Sequence, residues 1–455
     1  MMKKHLLALS AAAVLLAPNA VGAEGFSINE WSAEGFAMGG ARMFAENDAA
    51  NLAYNPAAMT KIQGEKAKAT IAYISPHGKW KADTKDTPAT LPDGTAVTNP
   101  LTGGPVLVGD GVWDASGRNR VHPAAAPGLY YVRQINDKEW IGMGTFTRFG
   151  NMCQFERNSI VGSNAFSSRM NGTSITMNYA RKHDSKWSTS VGAEINYVGL
   201  QLDKNLAGVA PLHVEGTSWA LGWNAAANYE FDNKNEFAVV YRSKVKHSMN
   251  ADYDVHGMST LGALTGAGNL PNDMTGDAYG CVTLPESWML GYGHKFNNKT
   301  RVELNATWTR WSRFDRFDMA MNGGFGAFTS GLSLATGGNG FAGSQSEKNW
   351  KDGWRYAIGI EHKLSDKYTL LAGIAHDERG IPDETADFMV PTGERDTYSI
   401  GIQYNDKKQT IALGLGYMDV GDLNMKGHSA TDRYENAKMH DSYTKIVVLS
   451  YQYNF

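Results

Sequence analysis

Few residues in this chain have types and spacing that suggest chemistry. They are His376-Asp377-Glu378, Ser333 within Gly331-Leu332-Ser333-Leu334, and the cysteines Cys153 and Cys281. An imidazole beside two carboxylates could ligate a metal or shuttle a proton. Consecutive strand residues point to opposite faces, however, and such a site needs side chains converging from several positions. The serine lacks the closing glycine and the strand-turn-helix setting that make a hydrolase nucleophile reactive. No phosphate loop, dinucleotide fingerprint or paired-cysteine motif is present. The expectation is a protein with no catalytic residue, no metal ligand and no cofactor. Both cysteines fall near loop ends on one side, where a bridge and two separate thiols are both open.

The elements that must position side chains are clearer. From Tyr130 to the last residue the chain reads as amphipathic stretches of about ten residues, joined alternately by tiny turns and by long Gly-rich loops. The short connections are Asn136-Asp137-Lys138, His183-Asp184-Ser185, Asp232-Asn233-Lys234-Asn235, Asn297-Asn298-Lys299, Ser365-Asp366 and Asn405-Asp406-Lys407. Asn and Asp tolerate left-handed backbone angles and bond to their own backbone, which suits tight hairpins. The long connections fall at 77–124, 151–170, 203–216, 250–279, 312–351, 377–393 and 419–438. Six short turns alternating with seven long loops require fourteen strands, an even number with both ends on one side of a membrane.

The strands have unlike faces. Val447, Leu449, Tyr451, Tyr453 and Phe455 oppose Ser450, Gln452 and Asn454; Val302, Leu304, Ala306 and Trp308 oppose Glu303, Asn305, Thr307 and Thr309. A soluble sandwich would show the same alternation with its apolar face inward. Three features favour a barrel in lipid: the turn–loop rhythm, aromatics at strand ends (Trp288, Phe296, Trp354, Tyr443, Phe455), and the N-terminus. Met1 to Ala23 has a basic start, an apolar run from Leu6 to Ala17 and a small-residue exit, and reads as a secretory signal peptide. No later apolar run has the length of a helical span, and a mean hydropathy of -0.37 suits strands of which every second residue meets lipid.

Charge is almost balanced, 43 basic against 46 acidic side chains, so nothing in the composition would recruit nucleic acid. Two cysteines exclude a disulfide-rich scaffold. Fourteen strands enclose a bore too wide for their own side chains to fill, since about eight is the limit. Residues 24–64 lack strand alternation and carry helix-like fragments, so they are the expected plug, or hatch, with the barrel occupying 65–455.

At this plug the sequence resembles a known family. Gly25-Phe26-Ser27-Ile28-Asn29-Glu30, Asn47-Asp48-Ala49 and Asn55-Pro56-Ala57-Ala58-Met59 are similar to the hatch of the FadL family of outer-membrane transporters for long-chain fatty acids and other hydrophobic compounds. Pro127-Gly128-Leu129-Tyr130-Tyr131-Val132, Tyr241-Arg242-Ser243-Lys244-Val245-Lys246, Leu284-Pro285-Glu286-Ser287-Trp288, Trp350-Lys351-Asp352-Gly353-Trp354 and the terminal Phe455 extend the resemblance nearly to the end of the chain. It implies an all-β, fourteen-stranded antiparallel transmembrane barrel with a small helical hatch in its lumen, in the outer membrane. It also implies uptake without an energy source. Ligand is captured by outer loops, held in an interior pocket, and released through a gap in the wall at a kink of the third strand.

Several residues could carry that mechanism. Leu206, Val209 and Leu212 lie in one outer loop, Leu261, Leu264 and Leu270 in the next, and Phe325, Phe328, Leu332, Leu334 and Phe341 in a third; they either pack on one another or form a groove for an apolar ligand. A fatty acid's carboxylate needs a buried cation. By resemblance that cation is Lys204, with Lys348 or Lys351 as the second. Arg148-Phe149-Gly150 matches the kink, and a glycine there can break the ladder. Asn29, Asn55, Pro56 and Ala57 are the expected gating residues of the hatch. Pro56 forces Asn55 out of helical angles and makes a rigid turn. The partners implied are long-chain fatty acids, or aromatic hydrocarbons if the interior cations are few, together with outer-membrane lipid and no nucleic acid. A general porin and an outer-membrane lipase are the other two classes. The first predicts an open charged lumen, the second an outward-facing Ser and His on adjacent strands.

Overall fold

The computed structural model describes residues 25–84, 87–88, 107–108, 114–206, 208–265, 267–335, 338–427 and 432–455. The expected signal peptide, Met1 to Ala23, and the middle of the first long connection lie outside them. Fourteen staves form the wall: β1 (Glu65–Thr84), β2 (Ala124–Asn136), β3 (Glu139–Gln154), β4 (Ser167–Lys182), β5 (Trp187–Leu206), β6 (Ala210–Glu230), β7 (Asn235–Arg242 and Val245–Val255), β8 (Met274–Leu284 and Ser287–Lys295), β9 (Thr300–Thr309), β10 (Gly353–Lys363), β11 (Tyr368–Asp377), β12 (Arg395–Asn405), β13 (Gln409–Val420) and β14 (Tyr434–Asn454). Each pairs antiparallel with its neighbours in sequence, and β1 pairs with both β2 and β14, from Lys66 opposite Asn454 to Thr84 opposite Tyr434. The sheet therefore closes on itself and has no free edge.

Each of the six short connections lies between two staves. In the second, the Asp184 carboxylate accepts from the backbone N–H groups of Lys186 at 2.7 Å and Trp187 at 2.8 Å, an Asx turn that reverses the chain tightly. The faces are as the alternation requires. Tyr451 is 45% exposed and Gln452 3%; Leu449, Tyr453, Ile411, Leu415, Ile400 and Ile402 also point outward. A continuous apolar belt on the outside of a closed cylinder has a low-energy partner in lipid.

The long connections are shorter than the sequence suggests. The clearest case is 203–216, where β5 runs to Leu206 and β6 begins at Ala210. The alternation continues there, but the outward residues Asp203, His213 and Glu215 are polar. These staves therefore rise beyond the aromatic pair Tyr197–Trp219 into water, where an outward apolar face is no longer needed. Further helices cap this side, α3 (Met258–Thr265) and α4 (Gly323–Ala335), numbered after the two of the plug.

Residues 26–62 fill the bore. They carry α1 (Ala33–Ala37), capped by Ser32 Oγ accepting from Gly35 N–H at 3.0 Å, α2 (Asn51–Tyr54), and a 3-10 turn at Pro56–Lys61. Phe36, Met38, Met43, Phe44, Leu52 and Tyr54 are buried, and each such side chain contributes about 1.5–3 kcal/mol when fully removed from water. The small residues of the inner wall exist to admit this segment. A Cβ on Gly373 would lie 2.1 Å from the backbone of Met38, and Gly39, at φ +63°, lets the chain turn away at that point.

Ion pairs fasten the plug to the wall. Lys68 of β1 reaches Glu34 at 2.8 Å and Asp48 at 2.7 Å; Arg42 reaches Asp48 at 3.2 Å and Glu361 of β10 at 2.7 Å. Buried pairs of this kind add little net stability. Removing one partner is costly, because the other charge is left uncompensated.

Candidate functional site: a bulged third stave and a closed outer mouth

Regular alternation in β3 points Trp140, Gly142, Phe146 and Arg148 inward, and the phase then changes so that Phe149 and Cys153 point inward as well. The register against β4 slips between Thr147 and Phe149, which makes Arg148 the extra residue of a bulge. The kink expected at Arg148, Phe149 and Gly150 is thus where the ladder is irregular. The N-terminal segment covers it. Ile28 N–H donates to Arg148 carbonyl and Gly150 N–H to Phe26 carbonyl, both at 2.9 Å, with Ser27 bridged to Phe149. A glycine serves at 150 because a Cβ there would sit 2.5 Å from the end of Ile28.

Above the bulge lies an aromatic cage. Phe26 sits edge-on to Trp311 at 4.6 Å, to Phe314 at 5.6 Å and to Phe149 at 5.8 Å between ring centres. The same buried cluster takes in Leu212 and Phe325, with Leu206 and Phe328 packed at its border. Leu206, Val209, Leu212, Leu261, Leu270, Phe325 and Phe328 therefore pack together, Leu206 and Leu212 from stave ends rather than from a loop, whereas Leu332 and Leu334 are exposed.

Lys204 stands on the inward face of β5, in phase with Leu200 and Leu202. The charges of Asp432, Asp387 and Lys348 reach it. Lys348 is 1% exposed and is ion-paired with Asp387. Lys351 stands apart: its side chain is exposed, and its backbone N–H donates to Gly380 carbonyl at 2.9 Å. Of the three expected cations, Lys348 is buried and Lys204 shares the inward phase of its stave, whereas Lys351 is exposed.

Asp387 and Asp432 escaped sequence reasoning. The available signal was a single carboxylate inside the apolar run Ala386-Asp387-Phe388-Met389-Val390. That run descends from the β11–β12 connection into the mouth and is buried throughout.

At the hatch, Asn55 is extended at φ -150° and caps the 3-10 turn, its Oδ1 accepting from Ala57 N–H at 3.1 Å and its Nδ2 donating to Met43 carbonyl at 2.9 Å. Pro56 occupies the first position of that turn, where a missing N–H costs nothing. Ala57 carbonyl accepts from Ser188 on β5 at 3.3 Å. Asn29 is bound through its backbone, its carbonyl accepting from the Tyr54 hydroxyl at 3.1 Å. Asn55 is nearer to β6 than to the bulge, its Nδ2 lying 3.4 Å from Asn228 Oδ1. Besides the backbone of Phe26–Ile28, a second link from hatch to bulge runs through Arg242, which donates to Ala53 carbonyl at 2.7 Å and shares Glu194 with Arg148.

The His376-Asp377-Glu378 cluster disperses as strand geometry requires. Asp377 points inward to Arg355 at 3.0 Å, while His376 pairs outside with Asp396 at 2.7 Å. Cys153 is buried and Cys281 exposed, and both are free thiols.

Comparison with known proteins agrees with this architecture. The chain is 24% identical over 443 residues to the long-chain fatty acid transport protein of Escherichia coli O6:H1, covering 90% of each, and 25% identical over 455 residues to outer membrane protein P1 of Haemophilus influenzae, covering 92% of this chain and 90% of the other. Among solved structures it resembles a Pseudomonas aeruginosa FadL homologue (TM-score 0.78, 20% identity, 95% of this chain and 100% of that one) and the P. putida toluene transporter TodX (TM-score 0.66, 16% identity, 94% and 99%). A family described as outer membrane protein transport protein (OMPP1/FadL/TodX) matches residues 14–455, and this chain, a closed fourteen-stranded barrel of the outer membrane, belongs to that family of transporters and not to a family of enzymes.

Proposed function

We propose that the protein takes up long-chain fatty acids or similar hydrophobic compounds across the outer membrane by passive diffusion. Ligand is captured at the outer loops, passes into the lumen near Lys204 and Lys348, and leaves sideways at the third-stave bulge once Phe26–Asn29 withdraws. The supporting observation is the bulge itself: its irregular ladder is closed by a short backbone segment that can detach without breaking the barrel. An apolar ligand leaving by that route enters lipid directly and avoids the aqueous periplasm, which its tail disfavours. The relatives named for fatty acids and for toluene support the chemical class. A general porin fits poorly, because buried side chains of residues 26–62 occupy the lumen.

Lateral release is tested by locking the segment. In a background lacking Cys153 and Cys281, a disulfide between Ser27→Cys and Phe149→Cys, which are bridged neighbours, is expected to abolish uptake of radiolabelled oleate by whole cells. Reduction is expected to restore it. Uptake unaffected by the closed disulfide rules the route out.

A further inference from the structure

The 386–390 segment is a second closure, entering from the outside. Its backbone is held at each step: Asn151 donates to Met389 carbonyl at 2.7 Å, the Cys153 thiol to Phe388 carbonyl at 3.1 Å, and Phe388 N–H to Asn164 at 3.0 Å. The Phe388 ring meets Phe155 at 5.3 Å, Tyr434 at 5.6 Å and Trp80 at 6.3 Å, each nearly perpendicular. At the centre Asp387 pairs with Lys348, and Thr385 donates to the Lys348 carbonyl. Among the described residues Lys204 makes no ion pair, though the charges of Asp387 and Asp432 reach it.

We propose that Asp387 is a built-in surrogate for the head group of a carboxylate ligand, and that exchange of one carboxylate for the other frees the 386–390 segment and opens the mouth. This rests on the reading of the protein as a carrier of hydrophobic compounds.

A charged Lys348 in an apolar core cannot be left unpaired, so the segment cannot lift while its ammonium lacks another anion. A fatty carboxylate supplies that anion. Since like replaces like at the head group, the transfer of its tail from water drives the exchange. An ester or a hydrocarbon brings the tail without the anion and cannot displace Asp387. Asp387 is thereby a specificity-determining residue, selecting carboxylates over neutral compounds of the same size.

Cys153, packed under Phe388 and Met389, reports on the segment. In the full-length protein carrying Cys281→Ser, labelling of Cys153 by a water-soluble maleimide is followed with saturating laurate or methyl laurate, and binding of each is measured by equilibrium dialysis. The expected result is that laurate accelerates labelling about tenfold and the ester does not. Asp387→Asn is expected to label rapidly with no ligand, and Asp387→Glu slowly. Equal acceleration by both probes, or none by bound laurate, overturns the exchange. If neither probe binds, the carrier reading fails, and a slowly labelled Asp387→Asn still overturns the latch on its own.

Discussion

Arg148, at the bulge of β3, and Arg242, at the break in β7, hold one carboxylate between them, that of Glu194 on β5. Arg148 also offers its carbonyl to Ile28, and Arg242 its guanidinium to Ala53. Three staves and two separate parts of the hatch thus meet at a single buried acid.

Replacing that acid with an amide of the same shape leaves two guanidiniums underneutralised. Glu194→Gln is expected to destabilise the folded barrel by about 3–5 kcal/mol, read from urea unfolding in lipid. The double variant Glu194→Gln/Arg242→Gln is expected to recover part of the loss. A Glu194→Gln barrel as stable as the parent contradicts the shared-acid arrangement.

The hatch depends on close backbone approach at Gly373. Gly373→Ala puts a methyl group 2.1 Å from the Met38 carbonyl carbon, so the hatch must shift, at a cost of about 1–3 kcal/mol. Ion conductance in planar bilayers is expected to rise above that of the parent. Unchanged conductance argues against a fitted plug.

Asn55 fixes the turn that follows α2. Asn55→Ala loses the cap to Ala57 and the bond to Met43, a change of about 0.5–2 kcal/mol for the cap. It is expected to raise amide exchange at 57–61 while leaving the wall strands protected.

The short turn at Asp184 is expected to respond to acid. Backbone N–H groups of Trp187 and Lys186 hold its carboxyl below the ordinary value of 3.8. A depressed folded-state value means that the stabilisation is present above the unfolded value and is lost as pH falls through the folded one, so the turn is expected to loosen only below about pH 3.8. An NMR titration of the Asp184 carboxyl checks this, and Asp184→Asn is expected to remove the acid-dependent step.

The barrel was legible in the sequence because lipid and lumen impose opposite demands on alternate residues, as at Tyr451 and Gln452. The limit of that signal is seen at 203–216. There water surrounds the wall on the outside, Asp203 and Glu215 point outward, and a strand has the composition of a loop. The kink was legible only through the resemblance at Arg148-Phe149-Gly150: the extra residue is Arg148, and the glycine makes room for Ile28 instead of breaking the ladder. The backbone of Phe26–Ile28 that covers it left no mark in residue types. Lys204 was singled out by the resemblance alone, and the structure places it in phase with the inward Leu200 and Leu202. Lys351 could not be assigned to the outside, because no periodicity holds where the chain approaches β10. Asp387 was hidden for the same reason.

The first helix of the plug sits across the junction of β1 and β14. Glu34 takes Lys68 from one side, and Ala33 N–H donates to Ser450 at 2.8 Å on the other. Those two staves are separated by nearly the whole chain, and their pairing is the joint that closes the cylinder. The cork thus rivets the seam of the bottle from within, so loosening it weakens the joint that makes the wall a cylinder.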